Sequence, residues 1–228
     1  MMAGHSTKRR PQVVGVIASA ADLQKAVRMR RPPDLFELRL DYLAGIADQM
    51  ERPLRKLRRP LIITARDPHE GGANKLSLRQ RRDLLVQFLN HANYIDVELR
   101  SAGALRDLLA IAKTKHVGRI ISFHNLKSTP SVAILKAKAQ QARSHGANIF
   151  KVATRTDTPM ELGRLLDLTT SNRWNVSLAV MGIGKLGAVS RVLLPRAGSV
   201  LIYASIAAAT DVEGQMSLEQ VRALGLGR

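Results

Sequence analysis

The stretch NIFKVAT, residues 148–154, reads as a short buried strand with a lysine in its middle. Desolvating an ammonium group is costly unless it is paired or neutralised, so Lys151 needs a reason to be there. Among apolar neighbours its charged form is disfavoured, and the fraction of free amine rises. A free amine attacks a carbonyl and forms an imine. Once protonated, the imine withdraws electrons and makes the α-proton of the former ketone acidic. His124, in SFHN, can remove that proton, because an imidazole titrates near neutral pH. Glu70, in ARDPHEGG, can orient the ring as the third member of a triad does. Arg39, Arg66 and Arg191 can hold an anionic or hydroxyl-rich substrate, since a guanidinium grips a carboxylate with two parallel hydrogen bonds. Singly, each has a plainer role. Lys151 can ion-pair with Glu37 or Glu98, His124 can be a satisfied core histidine, and Glu37, Arg39 and Asp41 can form an internal salt-bridge network. The chemistry rests on their occurring together, in order.

A scaffold must bring these scattered residues to one place. Eight short β-like runs alternate with helix-length segments: 13–19, 35–41, 61–66, 94–100, 119–125, 148–154, 175–182 and 200–205. Between them lie helical patterns such as 76–92 and 131–146, the latter stopped by Gly146. Ser217 and Gln220 form a capping box for a last helix after the eighth run. Eight strand–helix units at this length predict an α/β fold, a single-domain (β/α)₈ TIM barrel. A doubly wound open sheet is the competitor, and the placement of polar residues decides against it. Glu37, Arg39 and Asp41 share one strand face, as do Asp96, Glu98 and Arg100, Ser122 and His124, and Thr64 and Arg66. Lys151 shares a face with Ile149 and Ala153. Helices cover the outside of parallel strands, so the polar face must point into the barrel. Arg66, His124 and Thr154 lie near the carboxyl ends of their strands, where this fold keeps its active sites.

Composition narrows the setting. The chain has 228 residues, 45% of them apolar, which supports a folded core. Residues 1–11 read as a flexible basic arm and 12–228 as the barrel. No apolar run approaches the ~20 residues that cross a bilayer, so no membrane partner is expected. The amino terminus lacks the apolar core of a signal peptide, and a cytoplasmic protein is the simplest inference. With no cysteine there is no disulfide framework, thiolate nucleophile or cysteine-based metal site. His69, His91, His116 and His145 lack metal-ligand spacing, so no metal is expected. The 36 Lys and Arg exceed the 18 Asp and Glu to give a formal charge of +18, densest in RPLRKLRRP, residues 52–60. Aromatic residues are only 4% and no nucleic-acid motif accompanies the charge, so a nucleic-acid partner ranks below a solvated surface or a field for small anions.

The ordered set FELRLDYL (36–43), TARDPHEGG (64–72), DVEL (96–99), SFHN (122–125), FKVAT (150–154), GAVSR (187–191) and EGQ (213–215) resembles type I 3-dehydroquinate dehydratase over nearly the whole chain. The resemblance implies a (β/α)₈ homodimer in the shikimate route, without metal or organic cofactor. It implies conversion of 3-dehydroquinate, a small anion, to 3-dehydroshikimate and water. Lys151 falls on the imine-forming lysine, His124 on the general acid–base, and Glu70 on the carboxylate that assists it. Substrate-binding roles fall on Glu37, Arg39, Arg66, Arg191 and Gln215, with Arg191 the partner of the substrate carboxylate. One position departs from the pattern. Where the family commonly has the serine of SAPGQ, this chain has Asp211: either Thr210 supplies the hydroxyl, or the loop takes another path, or the Asp211 carboxylate weakens binding of an anionic substrate. Two other classes stand beside this reading. An aldolase-type barrel uses the same imine to break a C–C bond, but binds phosphate near the last strands, and IAAATDVEGQ offers little to cradle one. A basic nucleic-acid-associated protein predicts steeply salt-dependent binding instead.

Overall fold

The protein's computed structural model describes residues 10–171, 176–207 and 212–227. Most of the expected basic arm, and Asp211, lie outside those residues. Eight parallel strands run in order, each followed by helix: β1 (Gln12–Ile17), β2 (Leu35–Arg39), β3 (Leu61–Thr64), β4 (Tyr94–Glu98), β5 (Gly118–Asn125), β6 (Ile149–Arg155), β7 (Ser177–Ile183) and β8 (Leu201–Ser205). A two-residue strand β9 (Met216–Ser217) adds to β8. The ladders run β7-β6-β5-β4-β3-β2-β1-β8-β9. The circle closes where β7 meets β8. There the Val200 amide donates to the Leu178 carbonyl at 2.8 Å, and Ser199 Oγ accepts from the Val180 amide at 2.9 Å. The fold is the expected α/β barrel.

Several strands stop short of the apolar runs that announce them. β2 ends at Arg39 and β4 at Glu98, and each chain enters a one-turn helix, Leu40–Leu43 or Leu99–Ala102. β3 ends at Thr64, which pairs with Arg39, the last residue of β2, and with Asp96 of β4. Asp41 and Arg100 therefore leave from helical turns and do not sit on the inward strand face. Both expected helix caps form. Ser217 and Gln220 exchange the two bonds of a capping box, and the helix Val132–Ser144 stops before Gly146.

Strand alternation divides the interior into two parts. Outward residues such as Phe36, Leu38, Ile63, Val97, Phe150 and Val152 pack under the helices. Inward residues form a separate apolar cluster at the amino-terminal end of the barrel, with Leu35, Ile62, Ile120, Ile149 and Leu201. This cluster plugs the bottom. The next inward positions are polar: Glu37, Asp96 and Lys151, with Tyr203 from β8, all buried. They come from β2, β4, β6 and β8, the alternate strands that share one layer of a barrel interior.

Candidate active site

Lys151 Nζ stands inside this layer, 3.2 Å from Glu37 Oε1 and 3.0 Å from Asp96 Oδ2. It also lies 4.0 Å from the centroid of the Tyr203 ring, over its face. The sequence predicts a lysine among apolar neighbours. The barrel instead gives it two carboxylates and an aromatic face, surroundings that stabilise an ammonium and a protonated imine alike. Thr64 Oγ1 donates to Glu37 at 2.9 Å, which fixes that carboxylate. Asp96 is shared between Lys151 and Arg66. Burial works against its charge, but Arg66 and Lys151 outweigh burial and hold Asp96 well below the usual carboxylate range.

Arg66 is buried and paired with two carboxylates. It donates to both oxygens of Asp96, to Glu98 at 3.1 Å and to Ser122 Oγ at 2.6 Å. Behind it Arg81, from the helix Leu78–Phe88, bridges Glu98 and Asp67 at 2.8 Å each. Breaking one partner of such a network costs about 3–5 kcal/mol, because the other charge is left buried and unpaired. Arg66 therefore braces Asp96 beneath Lys151. Arg39 is likewise engaged, in a two-pronged pair with Asp41 at 2.9 and 2.8 Å.

His124 follows two residues beyond Ser122, the β5 partner of Lys151, so amine and imidazole stand on adjacent strands one step apart. Glu70 Oε2 lies 2.9 Å from His124 Nδ1 and also accepts from the His124 amide at 2.9 Å. A carboxylate on Nδ1 holds the proton there and leaves Nε2 as the free base. Burial first, then the charges of Arg66 and Lys151, push the imidazole well below its ordinary range, so the ring is neutral. Burial pushes Glu70 up to about 7, with Arg66 opposing.

The turn that carries Glu70 explains its glycines. It is a single 3₁₀ turn, Pro68–Glu70, capped by Asp67. A Cβ at Gly72 would lie 2.1 Å from the Arg66 carbonyl oxygen, so only glycine lets the chain fold back here.

The Glu70 shift sets a pH dependence. A raised carboxyl takes its proton at higher pH, so the carboxylate that fixes the His124 tautomer is lost as pH falls through about 7. Turnover should fall on the acid side of about 7, and Glu70→Gln should remove that limb while lowering kcat roughly 10–100-fold. A pH–rate profile of both proteins is the check; an unchanged limb in the variant sinks the assignment. The same shift makes Glu70 favour folding below the ordinary carboxylate range, a contribution lost as pH rises through about 7.

Arg191, on the helix Gly187–Ala197, differs from the other arginines. It is buried, it donates to the carbonyls of Gly182, Gly187 and Gly214, and among the described residues no carboxylate pairs with it. Its Nε is buried without a hydrogen-bond partner. Burial lowers its pKa to about 10. The bond to Gly214 draws the EGQ segment, and Gln215 with it, toward this guanidinium. A Cβ at Gly214 would lie 2.5 Å from the Gly184 carbonyl oxygen, which accounts for that glycine.

Lys151, Glu37, His124, Glu70 and Arg66 thus come together as expected, with Arg191 on the helix Gly187–Ala197 and Gln215 in the segment before β9. Asp96, Ser122 and Tyr203 were missed as site residues. Tyr203 is buried with its hydroxyl unpaired, and burial with the nearby charges of Glu37 and Asp96 pushes that phenol well above its ordinary range. Among the described residues no cluster of His, Cys, Asp and Glu could hold a metal ion, and no helix is long and apolar enough to cross a membrane.

Known proteins carry a related sequence and the same barrel. A profile described as Type I 3-dehydroquinase matches residues 13–224. The 3-dehydroquinate dehydratase of Shouchella clausii is 31% identical over 236 residues, covering 96% of this chain and 92% of its own. That of Thermodesulfovibrio yellowstonii is 32% identical over 178 residues, 76% of each chain. The crystal structure of 3-dehydroquinate dehydratase from Geobacillus kaustophilus matches with a TM-score of 0.86 at 25% identity, covering 95% of this chain and 90% of that one. Since the match runs from the first strand to the last helix of the barrel around Lys151, the chain belongs to the type I 3-dehydroquinase family of hydro-lyases.

Proposed function

We propose that this protein dehydrates 3-dehydroquinate to 3-dehydroshikimate through an imine at Lys151, as a cytoplasmic homodimer serving the shikimate route to aromatic amino acids. One observation carries the reading: a buried lysine on β6 beside a neutral, carboxylate-fixed histidine on β5. Glu37 takes a proton from the ammonium, and the free amine adds to the substrate ketone. The carbinolamine loses water and becomes a protonated imine in the place the ammonium held. His124 Nε2 removes the α-proton, and the electron pair shifts into the C–N system to give an enamine. The β-hydroxyl leaves as water, taking the proton back from His124. Water then hydrolyses the imine and frees Lys151. The proton held by Glu37 leaves with the carbinolamine hydroxyl as water, the α-proton leaves with the β-hydroxyl, and the overall oxidation level does not change.

The test of the covalent step is direct. Borohydride added during turnover should reduce the imine and fix the substrate skeleton on the peptide holding Lys151, read by mass spectrometry. An adduct elsewhere, or none, refutes the mechanism.

Arg191 supports an anionic substrate, because a buried guanidinium without a carboxylate among the described residues is costly until an anion arrives. Arg191→Gln should raise KM by about 30–1,000-fold, the loss of a buried charge-assisted pair, with a smaller effect on kcat. Arg191→Lys should recover little, since an ammonium cannot offer two parallel donors. Steady-state kinetics decide this; a KM within threefold of the parent removes the assignment.

A further inference from the structure

The formal charge of +18 is unevenly placed on the barrel. In a parallel barrel all strand-to-helix connections lie at one end and all helix-to-strand connections at the other. At the active-site end, connections 18–19, 40–50, 65–77, 99–105, 126–131, 156–158 and 184–186 carry five Lys or Arg and five Asp or Glu. At the opposite end, residues 28–34 and 51–60 lead into the paired strands β2 and β3 and carry eight Lys or Arg against two acids. The Phe36 amide donates to the Pro60 carbonyl at 3.0 Å, which ties the two stretches side by side. Their two acids are already taken: Asp34 pairs with Arg10, and Glu51 with Arg55. Arg30, Arg31, Arg52, Lys56, Arg58 and Arg59 are exposed and have no carboxylate partner among the described residues. A general richness in arginine would load both ends alike. A field drawing small anions to the barrel mouth would load the other end.

We propose that this face, opposite the active site, binds the phosphate backbone of nucleic acid without regard to base sequence. Neither stretch contains an aromatic residue or an exposed large apolar side chain. A protein interface has an apolar or aromatic centre, an interfacial membrane segment needs an apolar face, and base stacking needs aromatic rings. Neutralising phosphates requires only fixed cations, held here on the ends of two paired strands. Read along the chain the charge is dispersed and argues little. The fold collects it into one patch.

The test uses the full chain and a fluorescein-labelled 20-base-pair DNA duplex of arbitrary sequence, followed by anisotropy. Affinity should fall at least about 100-fold between 50 and 200 mM salt, as for four or more phosphate contacts. Replacing Arg52, Arg55, Arg58 and Arg59 together by Gln should weaken binding at 50 mM salt at least tenfold and flatten the salt slope. Replacing Lys75, Arg79, Lys127 and Lys185 by Gln removes the same net charge from the other end and should leave binding within threefold. Thermal unfolding checks that both variants fold. Three outcomes overturn the proposal: no binding at 50 mM salt, equal losses in the two variants, or displacement by polyglutamate as effective as by unlabelled duplex.

Discussion

Lys151→Ala should lose turnover by a factor on the order of 10⁵–10⁶, as when a covalent nucleophile is deleted from a site whose other parts remain. The loss should fall on kcat, because the substrate contact proposed for Arg191 is untouched. A second effect separates this barrel from one with an apolar pocket. Removing the ammonium leaves Glu37 facing Asp96 in a buried layer, with Asp96 still braced by Arg66 and Glu37 held, among the described residues, by Thr64. An unpaired buried charge costs about 3 kcal/mol, which for a chain of this size lowers Tm by about 6–12 °C. A buried carboxylate escapes that cost by taking a proton. The deficit should therefore be largest above neutrality and shrink as pH falls toward the carboxylate range. Lys151→Met, which fills the space but carries no charge, should show the same pH-dependent deficit. If both variants instead melt like the parent at pH 8, the two carboxylates are not held apart by the lysine, and the layer described for Glu37, Asp96 and Lys151 is wrong.

That layer also marks how far the sequence can be read. Period-two alternation put Glu37, Asp96, Ser122, His124 and Lys151 on the inner face before any coordinates, and the eight runs gave the barrel. The residues that surround Lys151 needed one further count. Leu35, Tyr94, Ile149 and Leu201 open the inward positions of the four even strands, and two residues on stand Glu37, Asp96, Lys151 and Tyr203. Barrel interiors stack residues from alternate strands in such layers. The count was available, and it replaces the apolar surroundings expected for Lys151 with two acids and a phenol ring. Arg81 was not legible in this way. It sits on a helix whose pattern marks it as one more exposed arginine, and only the approach of Asp67 from the turn after β3 and Glu98 from the end of β4 turns it inward. The acids that pair with Arg39 and Arg66 were no more legible. A sequence shows how many cations a strand brings, not which acids have already claimed them, and here Asp41, Asp96 and Glu98 have. Arg191 stands out because no acid of the described residues reaches it.

His124→Ala should slow elimination by about 10²–10⁴-fold, the usual contribution of a positioned acid–base group, without preventing attack by the lysine. Two facts of the geometry make the separation clean. Lys151 takes its charge partners from Glu37 and Asp96, neither of which involves the imidazole. Glu70 keeps the position 124 amide as a donor, since that bond comes from the backbone and survives the substitution. The amine layer and the turn carrying Glu70 should therefore stay in place while the base is missing. The imine then forms but cannot pass its α-proton on, so it should accumulate. Mixed with 3-dehydroquinate and quenched with borohydride at equal times, the variant should give more reduced adduct on Lys151 than the parent, whose imine drains forward to product. Added imidazole, small enough to occupy the vacated space, should restore part of the rate with a pH dependence following its own neutral fraction. A variant that traps no adduct would make His124 a partner in imine formation as well, and the division of labour between β5 and β6 would have to be redrawn around a histidine that handles every proton of the reaction.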